Sequence, residues 1–382
     1  MSGERHILVV TGSRGEWGYI RPVLRLIDEH PGLRASLVVT NMHLLPEFGT
    51  SRHEIERDGI LIEQEIYMAL DGYTGATMAK SLGVFLMSIT DTIERLRPDF
   101  VLLAGDRGEQ MMAATAAAHM NTPVAHIQAG EVSGNVDGQT RHALARYAHV
   151  HFAANEDAAE RLHRSGEQDF RIFTVGAPQL DELIAEEAAS RDELAERFHI
   201  SFDEPLVLLV QHPVTEQMTQ AGSQMEQTLS ALRELRLQTL LVYPNNDAGS
   251  VELRAKIDEF RGPWLKVERN LPRREYAGLL RESAAIVGNS SSGIIEAPAF
   301  SLPAVNIGRR QEGRIQGANV VNVDHDRAQI ADAVARVLAP KFRAGLDGTA
   351  SPYGDGHAAE RIVRVLAEIP VDEKLLYKAL TY

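Results

Sequence analysis

The sequence contains no cysteine, and this absence excludes several kinds of chemistry at once. Without cysteine there can be no thiolate nucleophile, no disulfide framework and no metal site with thiolate ligands. A chain that does not depend on disulfides is compatible with a reducing compartment. We therefore expect a cytoplasmic protein.

Long apolar runs and an excess of basic residues are also absent. No apolar stretch approaches the roughly 18 residues of a membrane-spanning helix, and the polar opening residues predict no signal peptide. The formal net charge of −14 argues against nucleic acid or an anionic membrane as partner. A nucleotide ligand remains compatible with this charge, because one helix terminus and a few arginines can neutralise phosphates locally.

Three common motifs do not occur in this sequence. There is no G-x-S-x-G turn of a serine hydrolase and no Walker loop. The turn after the first predicted strand contains Gly12, Gly15 and Gly18, a spacing that differs from the dinucleotide-binding G-x-G-x-x-G fingerprint.

What the sequence does contain is an alternation of apolar strands and helical patterns that occurs twice over its 382 residues. This predicts two α/β halves of similar plan, which meet near residues 180–204. The predicted strands are 6–10, 35–40, 60–66, 100–104, 124–127, 150–153, 171–175, 205–210, 239–242, 264–267, 284–287 and 304–306. The predicted helices are 19–30, 78–96, 109–120, 137–147, 155–165, 179–198, 274–281, 328–338 and 357–369.

One stretch, Val287–Glu296, has the pattern of an anion site. An apolar strand ends at Gly288-Asn-Ser-Ser-Ser-Gly293, and a helical pattern follows. Unpaired N–H groups and the positive end of the helix dipole favour a phosphate there. Ser290 and Ser291 would add hydroxyl donors, and Glu296, about one turn later, could accept from a ribose hydroxyl. The competing interpretation is an ordinary serine N-cap.

Polar residues also follow predicted strands in the first half. Arg14 lies in the turn after the first strand, and Asp106 and Glu131 follow two consecutive later strands. Ligands of open α/β sheets bind at this carboxyl edge, and two carboxylates there can divide acid and base roles. The alternatives are an exposed loop arginine for Arg14 and a helix cap for Asp106.

In the second half, His212 follows a very apolar strand, on a loop that Pro213 stiffens. Its position favours a catalytic or phosphate-binding role about as strongly as a packing role. Arg309, Arg310 and Arg314 follow the last predicted strand and could neutralise a phosphate, or could form a surface ion network. The remaining pair, His149 and His151, has no carboxylate partner nearby in sequence, so we interpret it as structural.

Taken together, several short motifs resemble those of the hydrolysing UDP-N-acetylglucosamine 2-epimerases of nonulosonic (sialic-type) acid biosynthesis. They occur in the family's order and run through most of the chain. The motifs are Thr11-Gly-Ser-Arg14, Gly105-Asp-Arg107, His126-Ile-Gln-Ala-Gly-Glu-Val-Ser-Gly134, Arg141-His142, Gln211-His-Pro-Val-Thr215, Pro244-Asn-Asn-Asp-Ala-Gly249, Gly288-Asn-Ser-Ser-Ser-Gly293 and Tyr353-Gly-Asp-Gly356.

The resemblance implies a fold of two Rossmann-like domains that face each other across a cleft, similar to glycosyltransferase B. We expect an N-terminal domain at 1–180, completed by a C-terminal helix at about 357–382 that packs back on it. A nucleotide-binding domain would occupy 181–356. The resemblance further implies a nucleotide-sugar substrate and a homodimer. Nothing in the sequence indicates a metal or an organic cofactor.

The implied reaction removes the proton at C2 of a UDP- or GDP-linked 2-acetamido sugar, eliminates the nucleoside diphosphate and adds water to the resulting glycal. The implied catalytic residues are Asp106, Glu131 and His212. The implied substrate-binding residues are Arg14, Arg107, Gln128, Asp137, Arg141, His142, Asn246, Asp247, Ser290, Ser291, Glu296 and Arg314.

This chain departs from the family pattern at two positions. Gln128 occupies a position where many members have Glu, and Gly138 one where many have a carboxylate. Either Glu131 or Asp137 then acts as the base, or the chain belongs to a branch with an altered substrate, such as the 2,4-diacetamido sugars of legionaminic-type synthesis. The remaining alternatives are a non-hydrolysing epimerase, a glycosyltransferase of the same fold and a nucleotide-sugar-binding protein without turnover.

Overall fold

The computed structural model describes residues 4–46, 51–72, 74–133, 136–185, 188–245 and 247–382. Two parallel sheets organise the chain, one of seven strands and one of six. The strands are β1 (Arg5–Thr11), β2 (Leu33–Thr40), β3 (Ile62–Ile66), β4 (Phe100–Ala104), β5 (Val124–Ile127), β6 (Val150–Ala153), β7 (Ile172–Thr174), β8 (Leu206–Val210), β9 (Gln238–Val242), β10 (Leu265–Glu268), β11 (Ala285–Gly288), β12 (Ala304–Ile307) and β13 (Val320–Val323).

Helices connect these strands and cover the sheets. They are α1 (Arg14–Glu29), α2 (Arg52–Arg57), α3 (Gly75–Leu96), α4 (Gly108–His119), α5 (Val136–Tyr147), α6 (Glu156–Arg164), α7 (Gln179–Ala185), α8 (Arg191–Phe198), α9 (Ala221–Glu234), α10 (Ser250–Glu259), α11 (Arg273–Glu282), α12 (Ser292–Ile295), α13 (Arg327–Leu338), α14 (Pro340–Ala344), α15 (Ala358–Glu368) and α16 (Glu373–Leu376).

The strand order reverses once in each sheet. The first sheet runs β3-β2-β1-β4-β5-β6-β7 and the second runs β10-β9-β8-β11-β12-β13. The crevice of an open parallel sheet lies where the order reverses, outside the carboxyl ends of the two central strands. In this protein those strands are β1 and β4 in one sheet and β8 and β11 in the other. The predicted fold of two facing Rossmann-like units is therefore confirmed.

Both faces of the central strands, such as β4 and β8, are buried, which explains why these strands are continuous apolar runs. In β1, Ile7 and Val9 pack into one core layer, whereas Leu8 and Val10 pack into the opposite layer. The first of these layers also contains Ile362 and Leu366 of α15. Helix α15 thus packs against the first sheet unit, as expected.

The predicted continuous helix at 179–198 is wrong. The structure has two helices, α7 and α8, and Ser190 begins the second as its N-cap by accepting from the Glu193 N–H. Just before it, the Ala189 N–H donates to the Arg274 carbonyl (3.1 Å), a bond outside any helix. Helices α2, α9, α10, α14 and α16 and strand β13 were not predicted.

Candidate active site

A cavity of about 240 Å³ lies between the carboxyl ends of the two sheets, and residues from both halves line it. Ten of the predicted site residues are among its lining: Arg14, Asp106, Arg107, Asp137, Arg141, His212, Ser290, Ser291, Glu296 and Arg314. They are far apart in sequence and meet here because parallel strands end at the same edge of a sheet.

Four predicted site residues do not line the cavity. Glu131 is buried behind it and accepts from Asn155 Nδ2 (2.7 Å), and Asp247 is buried against Arg107 (3.2 Å). Gln128 is also buried, and His142 is exposed on α5. Asn246 lies outside the described residues. The functional roles of all fifteen predicted residues remain predictions.

Asp106 is held in an ionic cluster at the end of β4. Its Oδ2 accepts from the Arg141 guanidinium and from Ser133 Oγ (3.0 Å). Burial alone would raise the pKa of this carboxyl, but Arg141, Arg314 and Arg310 outweigh burial and hold the pKa well below its ordinary value. These charges favour the ionised form of Asp106.

Asp137, in the first turn of α5, lies in a contrasting environment. Burial, together with repulsion from Asp106 and Asp247, raises its pKa to about 7, and nearby arginines only partly oppose the shift. One of these is Arg310, whose Nη2 lies 4.0 Å from Asp137 Oδ2. A carboxyl with this pKa can both take and return a proton near neutral pH.

Three hydrogen bonds fix His212 at the end of β8. Its backbone N–H donates to Asn289 Oδ1 (2.8 Å), and its carbonyl accepts from Asn289 Nδ2 (2.8 Å). Its ring Nδ1 accepts from the Asn245 N–H (3.1 Å), so the neutral ring carries its proton on Nε2. Burial, and secondarily nearby arginines, lower the pKa of His212 well below its ordinary value. The ring is thus a neutral hydrogen-bond donor.

The serine turn after β11 begins with a close backbone approach at Gly288. A Cβ here would lie 2.2 Å from the Val210 carbonyl oxygen, and φ is +129°, so glycine is required. Ser290, Ser291 and Ser292 then line the cavity. The expected helix is short, since α12 has four residues and gives way to a 3-10 turn at Ala297–Phe300, where Pro298 has no N–H to extend an α-helix.

Cationic and acidic groups surround this serine turn. Arg310 Nη1 and Gln311 Nε2 both donate to the Asn289 carbonyl (3.2 and 2.8 Å). Glu296 accepts from the Tyr276 hydroxyl (3.2 Å), and burial raises its pKa. The turn therefore combines hydroxyls and guanidinium groups suited to phosphate with a carboxyl suited to ribose hydroxyls.

Arginines connect the two halves across the cavity. Arg14 Nη2 donates to the Tyr243 carbonyl (3.0 Å), and Nη1 donates to the Arg269 carbonyl. Arg314 Nε donates in the opposite direction, to the Val132 carbonyl (2.7 Å). These bonds hold the two sheet edges together over the cavity.

The structure also explains the glycine at position 138. A Cβ there would lie 2.4 Å from the Ser133 carbonyl oxygen, so no carboxylate side chain fits. At the other departure, Gln128 adopts φ +64°, and its carbonyl accepts from Arg141 (2.5 Å). Its backbone thereby helps to orient the arginine that holds Asp106.

Sequence reasoning missed several residues of the site. Ser133 and Asn289 lie inside the quoted motifs, so their positions at strand ends could have revealed them. Tyr276 and Arg273, which also line the cavity, lie on α11 in a stretch without a motif. Only the packing of α11 against the cavity reveals them.

Comparison with known proteins places this chain in a family. The sequence profile of UDP-N-acetylglucosamine 2-epimerases matches residues 25–367. The chain belongs to this family. The protein is therefore a nucleotide-sugar 2-epimerase, as its motifs predicted.

Individual relatives cover nearly all of the epimerase. It is 37% identical over 380 residues to the UDP-N,N'-diacetylbacillosamine 2-epimerase (hydrolyzing) of Legionella pneumophila, covering 99% of this chain and 100% of the relative. It is 30% identical to a UDP-N-acetylglucosamine 2-epimerase of Neisseria meningitidis, with 95% of each chain covered. Among solved structures, UDP-GlcNAc 2-epimerase from Neisseria meningitidis bound to UDP-GlcNAc has a TM-score of 0.81 at 18% identity, over 94% of this chain and 99% of that one.

Two further observations concern the described part of the epimerase. None of its helices there is long and apolar enough to cross a membrane. Nor do three or more histidine and acidic side chains come together there in a group that could hold a metal ion.

Proposed function

We propose that this epimerase is a hydrolysing one, which converts a UDP- or GDP-linked 2-acetamido sugar into the nucleoside diphosphate and the free sugar inverted at C2. The observation that carries this proposal is the pair Asp106 and Asp137. They share one cavity with a serine turn and arginines, yet their pKa values are shifted in opposite directions. Such a pair suits proton transfer next to a departing phosphate.

In the proposed first step, Asp137 takes the C2 proton. The C2–H electron pair forms the C1=C2 bond of a glycal, and the C1–O bond breaks with its electrons leaving on the nucleoside diphosphate. In the second step, the C1=C2 electron pair takes a proton that comes from solvent at C2 on the opposite face, and a water molecule adds at C1 and gives up one proton. The free sugar is then released, and Asp137 returns the proton it took to solvent. Asp106 stays ionised and stabilises the positive charge that develops at C1.

The departing diphosphate needs donors where its charge develops. Ser290, Ser291 and the neutral Nε2–H of His212 supply hydrogen bonds, and Arg310 and Arg314 supply positive charge. Glu296 binds the ribose of the same nucleotide. Arg14 contributes by closing the two halves over the ligand, which excludes bulk water until the glycal has formed.

The relatives guide the choice of sugar. The Legionella pneumophila relative is named for UDP-N,N'-diacetylbacillosamine, and the less similar Neisseria meningitidis relative for UDP-N-acetylglucosamine. The higher identity supports a 2,4-diacetamido-6-deoxy sugar nucleotide as substrate, in a pathway of the legionaminic type.

The test is product identification by NMR in deuterated water, with UDP- and GDP-linked 2-acetamido and 2,4-diacetamido sugars as substrates. We expect free nucleotide and a free C2-inverted sugar that carries deuterium at C2. A product that keeps its nucleotide would show a non-hydrolysing epimerase instead. Nucleotide release without deuterium at C2 would refute the elimination and favour glycosyl transfer.

A further inference from the structure

Residues 372–382 follow α15 and contact the C-terminal end of helix α5. We call them the 372–382 segment. Lys378 Nζ donates to three carbonyls at the C-terminal end of α5, those of Ala145 (2.5 Å), Arg146 (3.2 Å) and Ala148 (2.7 Å). The last carbonyls of a helix lack intrahelical partners, and a cation there also complements the helix dipole. Lys378 therefore acts as a cap supplied from a distant part of the chain.

Buried charges hold this lysine in place. Lys378 Nζ lies 2.7 Å from Glu167 Oε2, and the Glu167 side chain is fully buried. The same carboxylate pairs with His151 Nε2 (3.0 Å) and with Arg146 Nη1 (3.0 Å). Burial lowers the pKa of Lys378 to about 8, although the charge of Glu167 opposes the shift. Burying a charged lysine is unfavourable unless it is paired and hydrogen-bonded, so the buried position of Lys378 depends on these partners.

A second cation, Arg171, fixes the path of the segment. Its side chain is completely buried, and it donates to the carbonyls of Lys374 (3.0 Å), Leu375 (2.8 Å) and Tyr377 (3.0 Å). Further along, the Thr381 N–H donates to the Gly166 carbonyl (3.0 Å). These bonds leave the backbone on both sides of Lys378 little freedom to move.

The opposite end of α5 reaches the cavity. Its first turn carries Asp137, and Arg141, one turn later, holds Asp106 and the Gln128 carbonyl. A helix of 12 residues is about 18 Å long and moves as a rigid rod. A change at its capped end therefore displaces both Asp137 and Arg141.

We propose that Lys378 is a positioning residue, and that the 372–382 segment sets the orientation of α5 and thereby the placement of Asp137 and Arg141 for catalysis. This inference rests on the proposed function, because it assigns the chemistry to residues of α5. Nucleotide contacts of the second half, at Ser290, Ser291 and Glu296, lie on other elements. Disturbing Lys378 should consequently affect the chemical step and spare nucleotide binding.

The test compares Lys378→Met with Lys378→Arg in the full chain. The Met variant keeps the apolar stem and loses the donors, and we expect kcat to fall at least 10-fold while the dissociation constant of UDP stays within twofold. The Arg variant keeps positive charge and donors and should recover most of kcat. Lys374→Met is the matched control, since Lys374 lies on the same segment but its Nζ packs over Phe170, 4.4 Å from the ring centroid.

Other outcomes overturn the inference. If Lys378→Met keeps kcat within twofold of the wild type, the segment does not position α5. If kcat and UDP affinity fall together and Arg restores neither, the lysine only supports folding. Should the Met variant fail to fold, Lys378→Gln in the full chain keeps a neutral N–H donor and allows the same comparison. Failure of the proposed function would appear separately, as wild-type protein that releases no nucleotide.

Discussion

The carboxyl groups of Asp106 and Asp137 line one cavity, and their pKa values are shifted in opposite directions. Arg141 holds Asp106 in its ionised form, whereas burial and the charge of Asp106 itself favour the protonated form of Asp137. The charge of Asp106 thus helps to set the protonation of Asp137. This relationship supports the proposed roles of Asp137 in proton transfer and of Asp106 in electrostatic stabilisation.

We expect Asp137→Asn to abolish most turnover. Asparagine keeps the shape of the side chain but cannot accept the C2 proton, so kcat should fall by about 10²- to 10⁴-fold, the usual contribution of a general base. UDP affinity, measured by calorimetry, should stay near the wild-type value, and Asp137→Glu should retain more activity than the Asn variant. An Asn variant with more than a tenth of wild-type kcat would rule out this role.

The same substitution should stabilise the protein at alkaline pH. The folded pKa of about 7 lies above the unfolded value of about 3.9, so the folded state binds more protons between these values. Its stability therefore falls as pH rises through this window. Above pH 7 the buried carboxylate costs roughly 1–4 kcal/mol, a cost that the neutral asparagine side chain would avoid.

Urea unfolding of both proteins at pH 4 and at pH 8 checks this expectation. Asp137→Asn should unfold at higher urea than the wild type at pH 8, and the gain should be much smaller at pH 4. If the two proteins differed in stability by the same amount at pH 4 and at pH 8, ionisation of Asp137 would not destabilise the folded state.

His212 should be neutral, with its proton on Nε2, throughout the physiological range. The Asn245 N–H occupies Nδ1, and burial disfavours the charged ring. Nitrogen-15 NMR of labelled protein between pH 6 and 8, with the His212→Gln variant to assign the signal, measures the tautomer. A doubly protonated ring at pH 7 would contradict the role of a neutral donor to the leaving phosphate.

Gly138→Ala should destabilise the protein and lower its activity. The new methyl group would lie 2.4 Å from the Ser133 carbonyl oxygen, and relieving such overlap typically costs about 1–3 kcal/mol. Gly83→Ala is the matched control, because Gly83 also lies within a helix and a Cβ there meets nothing within 4 Å. Thermal unfolding should show a loss for the first variant and no loss for the second. Equal effects would show that the contact at Ser133 relaxes freely.

Much of the fold could be predicted because buried parallel strands are apolar throughout. The run Phe100–Ala104 is one example, and the structure places it as β4 with every residue buried. The helix predicted over 179–198 failed because its acidic composition suits a helix on both sides of the break. The bond from the Ala189 N–H to the Arg274 carbonyl, which lies in the break, is a tertiary contact that composition does not reveal. The domain boundary at residue 180 stays a prediction.

The sequence by itself determined which residues stand at strand ends, since apolar runs and the polar turns after them are local patterns. This was enough to bring Arg14, Asp106, His212 and Ser290 to the sheet edges. Only the tertiary structure decided how these residues differ in chemistry. Burial and charges from distant segments set the pKa of Asp137 and the tautomer of His212, and they place Lys378 against α5. A local sequence pattern cannot encode these effects.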